Sequence, residues 1–600
     1  MRDYLQILGI LTRPEKKRLV LLLICAVAMS FIDVIGMSSI LPFLAVAADP
    51  QVINKSRILA YTYQATGASS SLAFIYTLGV VALLAVVCSN LITFLTQWAV
   101  VRHSLELGRS ISTRLFSEYM SQPYQFFLSR NSLTLMSNVT GEVEGLVNGI
   151  LLPGMQVVAK SAASFFLITL VIVYDPILAA IFLGAIGGAY SLIFALTRRY
   201  VSYFGERSHV ANRARHRNAK EAFSAIKELR ILGNESHYTG SFAAHCREYS
   251  RNFTLHSIIA FAPRYALEAM GIAAMLIVIL YNAHNERELS AIIPTAALYA
   301  ITGYRLLPAF QTIFSSLTTI RFNQPSLQIL LGEAAHLSEK AVEPLPDSKD
   351  RKSIKLDTSI MLKEISCRYA EKNEPALCGI NIEIPARKTT GIVGASGAGK
   401  STFLDVLTGL LPFDSGSIFV DGIPLSEANM RDWRTTLGYV SQQIYLADAT
   451  VARNIAFGVP DSEIDDGRVE AAAKLASIHD FIVCEMPEKY KTMVGENGMR
   501  LSGGQRQRLG IARALYRDPS VLIFDEATSA LDGITEDAVI ESIRKLSTQK
   551  TIVIIAHRLA TVRHCDNIYL LDKGRVVDEG TYTDLLVSSA MFRQMAKLAN

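Results

Sequence analysis

The residues with the clearest chemical potential form a glycine-rich loop at positions 394–401, which reads Gly-Ala-Ser-Gly-Ala-Gly-Lys-Ser. This is the spacing of a phosphate-binding loop. The loop follows the apolar residues 390–393, which suit the end of a buried strand, and precedes a segment that suits the start of a helix. Small residues let backbone N–H groups close around a phosphate, and a helix N-terminus adds a favourable potential. The residues predicted to hold a nucleotide here are Gly394, Ala395, Ser396, Gly397, Ala398, Gly399, Lys400, Ser401 and Thr402.

Four residues in two places are predicted to act on the phosphates of ATP and on Mg²⁺. Lys400 is expected to contact the β- and γ-phosphates, and Ser401 to bind Mg²⁺. The apolar run 521–524 ends in two acids, Asp525 and Glu526, which suits a central parallel strand with its acids at the exposed end. We expect Asp525 to hold Mg²⁺, directly or through water. Glu526 is expected to polarise the attacking water, since positioning and charge neutralisation supply most of the rate in phosphoryl transfer.

The pentapeptide Leu-Ser-Gly-Gly-Gln at residues 501–505 lies between the phosphate loop and the two acids. This order of motifs resembles the ATP-binding-cassette (ABC) ATPases. In that family the pentapeptide closes over ATP held by a partner, so the resemblance implies a dimer. A two-fold homodimer would hold two competent sites, and a heterodimer is also possible. The residues that the resemblance assigns to the partner's γ-phosphate are Ser502, Gly503, Gly504 and Gln505, with Ser502 also expected to cap the following helix.

The same resemblance implies roles for four further residues. His557, which follows the apolar run 551–555, resembles the histidine that reaches the γ-phosphate, although a lone histidine after a strand is usually structural. Gln442 resembles the glutamine that senses Mg²⁺ and the attacking water. Tyr369 resembles the aromatic residue that stacks on adenine, with a core tyrosine as the alternative. Asp532 resembles the residue of a loop that crosses between the two ATP sites.

The first 320 residues contain long uncharged runs that predict membrane spans. Residues 58–101 and 176–197 contain no Asp, Glu, Lys or Arg, and a bilayer needs about 20 apolar residues per helix. The predicted fold is an α-helical six-span transmembrane domain followed by an α/β P-loop ABC nucleotide-binding domain. The six predicted spans are 18–46, 72–100, 146–174, 177–198, 256–282 and 288–320. Residues 1–17 could form an amphipathic surface helix.

The distribution of charge predicts the orientation of the spans. The segment 198–251 is rich in Arg and Lys, whereas the predicted outer loops contain few basic residues. Positive residues favour the inner side, so we expect a multi-pass protein of the inner membrane with its N-terminus and ATPase domain in the cytoplasm. The net charge of +5 gives no case for nucleic-acid binding. The seven scattered cysteines indicate neither a disulfide framework nor a metal site.

Composition also divides the chain into predicted domains. Residues 1–334 are expected to form the transmembrane domain, 335–353 a linker that contains two prolines, and 354–600 the ATP-binding domain. Two long inner segments, 101–145 and 199–255, have helical periodicity. We expect the neighbouring spans to continue into them as helices, so that the tip of each segment can touch the ATPase domain, with solvated loops as the alternative.

Three basic residues near the spans are candidates for contact with an anionic cargo. Lys160, Arg264 and Arg305 could line a central cavity, although Arg264 could instead be neutralised by Glu268 one helical turn away. Arg suits phosphate or pyrophosphate. The stretch from Ser30 to residue 43 resembles the bacterial flippases of lipid-linked oligosaccharides used in protein N-glycosylation. That resemblance implies a polyprenyl-pyrophosphate-linked glycan as cargo.

Other functions remain open from the sequence. A multidrug, lipid or peptide exporter would have the same ATPase motifs, and so would an ATP-gated or regulatory membrane protein. A glutamate at 526 and a histidine at 557 favour turnover over gating. A soluble cassette ATPase is excluded if the six predicted spans are embedded in a membrane.

Overall fold

A computed structural model of the chain describes residues 9, 11–48, 50–67, 70–174, 176–284, 289–339, 354–369, 374–526, 541, 547, 549–556 and 558–598. These residues fall into two compact units. The first unit contains the helices before residue 122 and those between residues 132 and 339. The second contains the segment 123–128 and the described residues from 354 onward. Each unit is described separately below.

The first unit is made of helices, several of which exceed the length needed to cross a bilayer. Its helices are α1 (Arg13–Ser38), α2 (Ile40–Ala48), α3 (Val52–Lys55), α4 (Arg57–Thr66), α5 (Ser71–Ser121), α7 (Ser132–Ser137), α8 (Val143–Leu146), α9 (Leu152–Tyr174), α10 (Pro176–Ser224), α11 (Ile226–Leu232), α12 (Glu235–His284), α13 (Leu289–Phe322) and α14 (Gln324–Glu339). Helix α6 (Tyr124–Leu128) belongs to the second unit. Two π-helical turns, Asn138–Glu142 and Val147–Leu151, flank α8.

Each predicted span overlaps one of the long helices α1, α5, α9, α10, α12 and α13. Within the described residues, three segments are long and apolar enough to cross a membrane: Arg13–Gly36, Ser71–Ser121 and Ser132–Val173. The number of six crossings therefore stays a prediction. Helix α5 exposes a run of large apolar side chains that water would solvate poorly, including Leu84, Leu91 and Phe94. Such a surface fits a helix that contacts lipid.

The spans continue as helices into the predicted inner segments, as the sequence indicated. Helix α5 runs on to Ser121 and α10 to Ser224, while α12 begins at Glu235. The predicted domain boundary after residue 334 falls within α14, which continues to Glu339. Residues 333–339 contain no Gly or Pro, so they can continue this helix. Of the predicted surface helix 1–17, most residues lie outside the described part of the chain.

Close packing and buried polar contacts hold the inner halves of these helices together. Helix α10 packs on α12, and α9 packs on α13. Gly205 of α10 lies against the backbone of Phe322, where a Cβ would overlap the carbonyl oxygen. The Glu333 carboxylate of α14 accepts hydrogen bonds from Arg130 at 2.6 and 2.7 Å and from the Tyr119 hydroxyl at 3.0 Å. These contacts fix α14 beside the end of α5.

The second unit contains two sheets. Strands β1 (Ser359–Cys367), β2 (Leu377–Pro385), β4 (Ser415–Val420) and β5 (Ile423–Pro424) form an antiparallel sheet in the order β2-β1-β4-β5. The larger sheet has the order β10-β9-β3-β8-β7-β6 and is built from β3 (Thr389–Gly394), β6 (Leu437–Val440), β7 (Val521–Asp525), β8 (Thr551–Ala556), β9 (Asn567–Asp572) and β10 (Arg575–Gly580). All of its pairs are parallel except β9 with β10.

Helices cover the larger sheet, as expected for parallel strands buried on both faces. They are α15 (Lys400–Leu407), α16 (Met430–Thr435), α17 (Val451–Ile455), α18 (Asp466–Leu475), α19 (His479–Cys484), α20 (Gly503–Leu515), α21 (Leu559–Val562), α22 (Tyr582–Ser588) and α23 (Ala590–Leu598). Strands β3 and β8 are buried at every position, because the continuous apolar runs 390–393 and 551–556 face helices or the other sheet on both sides. The parallel strands bring the residues that follow β3, β6, β7 and β8 to one edge of the sheet.

Candidate nucleotide and metal site

The phosphate-binding loop lies between β3 and α15, in the strand-to-helix context that the sequence predicted. Gly399 has a φ of 102°, and a Cβ there would lie 2.8 Å from the carbonyl oxygen of Ala376, so only glycine fits. The Lys400 ammonium group donates to the carbonyl oxygens of Gly394 and Ala395 at 2.8 and 3.0 Å. The loop thereby directs the N-terminus of α15 and a lysine to the same point, which is the arrangement that binds phosphate.

Lys400 is buried, with 5% of its surface exposed. Burial lowers the pKa of Lys400, because the charged form loses hydration, while the carboxylates of Glu526 and Asp525 oppose that shift. Ser401, by contrast, is exposed at the first turn of α15. Lys400 is thus a cation that two nearby acids stabilise. Together with the exposed hydroxyl of Ser401, it is suited to hold a negatively charged ligand.

The two acids lie at the end of β7, between β6 and β8, as the sequence predicted. Each accepts a hydrogen bond from the segment that includes β6. The Tyr439 hydroxyl donates to Oδ2 of Asp525 at 3.1 Å, and Nε2 of Gln442 donates to Oε2 of Glu526 at 2.6 Å. The structure therefore brings Gln442 to Glu526 across 84 residues of sequence.

Glu526 has an unusual backbone conformation. Its φ is 49°, in the left-handed region that non-glycine residues rarely adopt. Its backbone N–H donates to the carbonyl oxygen of Ile555 at 2.9 Å, which holds the residue against β8. Residues held in sparsely populated conformations are frequent at functional sites, but several turns in this unit have the same feature, so the role of Glu526 stays a prediction.

The Mg²⁺ that the motifs imply would find suitable ligands here. Mg²⁺ prefers oxygen ligands and usually combines one or two protein groups with the phosphates of a nucleotide. Asp525 and Ser401 would hold it, and both offer oxygen atoms close to Lys400. When bound, Mg²⁺ would neutralise charge on the β- and γ-phosphates.

Tyr369 lies beside helix α6. It is partly buried, and its hydroxyl is 3.2 Å from the hydroxyl oxygen of Thr402 on α15. A cavity of about 520 Å³ is lined by Tyr369, Arg368, Asp414 and Gln125 of α6. Helix α6, which lies within the predicted first inner segment, is part of the second unit. A tyrosine between the phosphate loop and an open cavity is placed to stack on a nucleotide base.

The pentapeptide residues begin α20. Ser502 and Gln505 form a reciprocal capping box, in which the Gln505 N–H donates to the Ser502 hydroxyl and the Ser502 N–H donates to the Gln505 side chain. The predicted capping role of Ser502 is therefore confirmed. Gly503 and Gly504 form the first turn of the helix. His557 and Asp532 lie outside the described residues.

Two residues near the acids escaped the sequence analysis. Tyr439 contacts Asp525. Asp405 lies on α15, where burial and then the charge of Asp525 raise its pKa to about 6. Tyr439 could have been found from its place three residues before Gln442 on a strand expected beside β7. For Asp405 no signal existed, because a helix residue five positions after the loop lysine carries no motif.

The basic residues proposed for the cargo have carboxylate partners in two of three cases. Arg305 on α13 lies 3.5 Å from Asp33 on α1, and Ser89 on α5 donates to the same carboxylate at 3.0 Å. Arg264 pairs with Glu268 at 2.7 Å on the surface of α12. The pairing of Arg264 follows the simpler alternative given by the sequence. Lys160 is partly buried and makes no ion pair among the described residues.

Comparisons with known proteins agree with the two units. The family profile described as "ABC transporter transmembrane region" matches residues 19–299, and the profile described as "ABC transporter" matches residues 377–529. The chain is 31% identical over 515 residues to an ATP-dependent lipid A-core flippase of Saccharophagus degradans, a match that covers 82% of this chain and 81% of the relative.

Further relatives with the same description come from Photobacterium profundum, at 29% identity over 84% of each chain, and Salmonella typhimurium, at 28% identity over 84% of this chain and 85% of the relative. Among solved structures, a bacterial Atm1-family ABC exporter with ATP bound matches 98% of both chains with a TM-score of 0.73 and 23% identity. This last likeness concerns the fold alone.

Proposed function

The chain belongs to the ABC transporter family as an ATP-hydrolysing half-transporter of the exporter type, and on that basis we propose that it moves an anionic lipid-linked substrate from the inner to the outer leaflet of a bacterial inner membrane. The observation that carries the proposal is similarity to relatives described as ATP-dependent flippases across more than four fifths of both chains. That similarity extends over the helical unit as well as the ATPase unit.

The proposed roles at the ATP site follow from its geometry. Lys400 and the backbone of the phosphate loop would bind the β- and γ-phosphates, and Tyr369 would stack on the base. Glu526, held by Gln442 at 2.6 Å, would accept a hydrogen bond from the attacking water and orient it. His557 would complete the contacts with the γ-phosphate. Mg²⁺ would be held by Asp525 and Ser401, with Gln442 nearby.

The assembly proposed here is a homodimer with ATP between the two ATPase domains. The residues of the pentapeptide would contact the γ-phosphate bound by the partner, and Asp532 would lie in the loop that crosses between the sites. In support, Ser502, Gly503 and Gly504 lie at the N-terminus of α20, where backbone N–H groups favour an anion. The domain limits proposed are 1–334 for the transmembrane domain, 335–353 for the linker and 354–600 for the ATP-binding domain.

The proposed cargo site involves the ion pair between Arg305 and Asp33. Both side chains are partly buried, with 31% and 17% of their surface exposed. A phosphate could replace the carboxylate of Asp33 as the partner of Arg305, since Arg binds either anion with two N–H groups. Lys160 and Arg264 would add positive charge. The finer proposal is a polyprenyl-pyrophosphate-linked oligosaccharide, while lipid A-core is the alternative that the descriptions of the relatives suggest.

The test is ATP-dependent flipping in liposomes. Purified protein would be offered a polyprenyl-pyrophosphate oligosaccharide, lipid A-core and a zwitterionic phospholipid, each labelled in its headgroup. We expect flipping of an anionic glycolipid with ATP and Mg²⁺, and about a thousandfold slower turnover in Glu526→Gln, since one catalytic group can contribute that much. Arg305→Gln should reduce flipping more than basal ATP hydrolysis.

Lys355→Gln serves as a matched control, because this basic residue lies outside the helical unit and should leave both rates unchanged. Equal rates of flipping for all three lipids would show that transport does not require an anionic headgroup. Flipping that continues in Glu526→Gln at the normal rate would contradict ATP-driven transport.

A further inference from the structure

The contact between Tyr439 and Asp525 follows from the register of two neighbouring strands. Strands β6 and β7 are parallel, and Tyr439 is paired with Ile523. Side chains two residues apart on a strand point to the same face. Asp525 therefore lies on the same face of the sheet as Ile523, two residues closer to the end of β7. A long side chain at position 439 of β6 can reach it. The Tyr439 hydroxyl donates to Oδ2 at 3.1 Å.

The same short segment holds both acids. Gln442, three residues after Tyr439, donates to Glu526 at 2.6 Å. Among the strands that the structure describes, β6 lies at the edge of its sheet and has β7 as its one neighbour. Tyr439 is 44% exposed, although most of the residues around it in the sheet are fully buried. An exposed edge position does not need an aromatic core residue, so the packing of the sheet alone does not explain a tyrosine here.

We propose that Tyr439 is a positioning residue that fixes the carboxylate of Asp525 for Mg²⁺. A carboxylate that accepts a hydrogen bond on Oδ2 from a residue of a neighbouring strand loses rotational freedom about its side chain. Groups that orient a metal ligand in this way typically change metal affinity by 10- to 100-fold when they are removed. The inference rests on the proposed metal role of Asp525.

The surroundings of Asp525 explain why such a restraint is useful. Asp405 on α15 lies close enough for its charge to interact with that of Asp525. Like charges repel, and the hydrogen bond from Tyr439 to Oδ2 helps to hold the carboxylate of Asp525 in place against this repulsion. The phenol of Tyr439 supplies the donor without adding charge.

The experiment compares metal binding in Tyr439→Phe with that in the unchanged protein. Full-length protein in nanodiscs would be saturated with the non-hydrolysable analogue AMP-PNP, and bound Mn²⁺ would be followed by electron paramagnetic resonance. We expect the affinity for Mn²⁺ to fall about tenfold. AMP-PNP binding in EDTA should stay unchanged, because the metal-free nucleotide does not need Asp525. A metal-dependent loss with intact nucleotide binding is not what a general packing defect would produce.

Tyr445→Phe is the matched control. Tyr445 lies in the segment that follows β6 and is 59% exposed, and its hydroxyl makes no hydrogen bond among the described residues. This variant should bind Mn²⁺ normally. Unchanged or tighter Mn²⁺ binding in Tyr439→Phe would overturn the inference, and so would an equal loss of metal-free AMP-PNP binding. Asp525→Asn separates the two proposals: normal Mn²⁺ binding in that variant would refute the metal role of Asp525 itself.

Discussion

At the scale of single residues, the site combines groups that the motifs indicate with groups that only the fold reveals. Lys400, Asp525 and Glu526 occur in recognisable motifs. Asp405 does not, yet its carboxyl group shares the same surroundings, and its pKa is raised to about 6 by burial and then by Asp525. No side-chain hydrogen bond to its carboxylate is recorded within the described residues. The charged form of Asp405 is therefore a local cost to stability.

Asp405→Asn should remove this cost. Because the pKa of Asp405 is higher in the folded protein than in the unfolded chain, the folded protein binds the proton more tightly. The unchanged protein therefore has its full stability below about pH 4, where Asp405 is protonated, and loses stability as the pH rises through 6. At pH 8 the variant should be more stable by about 1 kcal/mol, a figure reduced for partial solvent screening. At pH 5, which lies between the two pKa values, the difference should be about half as large.

Thermal unfolding of nucleotide-free protein in EDTA would measure this effect. The buried Trp433, whose indole donates to the carbonyl of Leu407 on α15, is a suitable fluorescence reporter. Asp448→Asn changes an exposed acid of the same unit and should leave the midpoint unaltered. A stability difference that is the same at pH 5 and pH 8 would contradict the assignment to the charge of Asp405.

At the scale of elements, the sequence predicted the long helices because their apolar runs are local properties. One break within them does have a local signal in the sequence. Helix α13 stops at Phe322 and α14 begins at Gln324, so that Pro325 lies in the first turn of α14, where its missing N–H costs no helical hydrogen bond. The break packs on glycines of other helices, with Asn323 against Gly149 and Phe322 against Gly205. Such tertiary contacts, like the pair of Arg305 with Asp33, join residues far apart in sequence.

Gly205→Ala tests whether this close packing shapes the helical unit. An added Cβ would overlap the carbonyl oxygen of Phe322, which belongs to the backbone and cannot move aside as a side chain can. We expect a destabilisation of about 1–3 kcal/mol, as for other overpacked sites. The measurements are the midpoint of thermal unfolding and the binding of a dye that reports exposed apolar surface.

Gly240→Ala gives the opposite expectation. A Cβ on Gly240 meets nothing within 4 Å, and Ala is favoured over Gly in a helix by about 0.5–1 kcal/mol. Both substitutions replace Gly by Ala within a helix. If Gly205→Ala lowers the free energy of unfolding and Gly240→Ala raises it, the difference is due to the contact with Phe322. A stabilising Gly205→Ala would show that the helices are not closely packed at this point.

At the scale of the whole molecule, we propose that the ATP site within one chain is incomplete and needs a second copy. The phosphate loop of one copy and the pentapeptide of another would enclose each ATP. The capping box of Ser502 and Gln505 explains why the N-terminus of α20 is well formed, but hydrogen bonds within one chain do not reveal what binds there. The sequence motifs carry this dimer prediction, whereas the fold supplies the geometry of each half.

Two inactive variants should therefore restore each other when they are mixed. Lys400→Ala disables the phosphate loop, and Ser502→Arg disables the pentapeptide. A mixed dimer has one site with both defects and one site with neither. If the copies pair at random, half of the dimers are mixed, so about a quarter of all sites should be intact.

The measurement is ATP hydrolysis after the two purified variants are mixed in detergent, allowed to exchange and reconstituted together. Each variant alone should be inactive, and the mixture should approach about a quarter of the normal rate, or less where the two sites depend on each other. Thermal unfolding of each variant would confirm that neither loss reflects misfolding. If each chain used its own pentapeptide, every site in the mixture would carry one defect and no activity would return. The exchange thus distinguishes a shared site from two independent ones without any knowledge of the cargo.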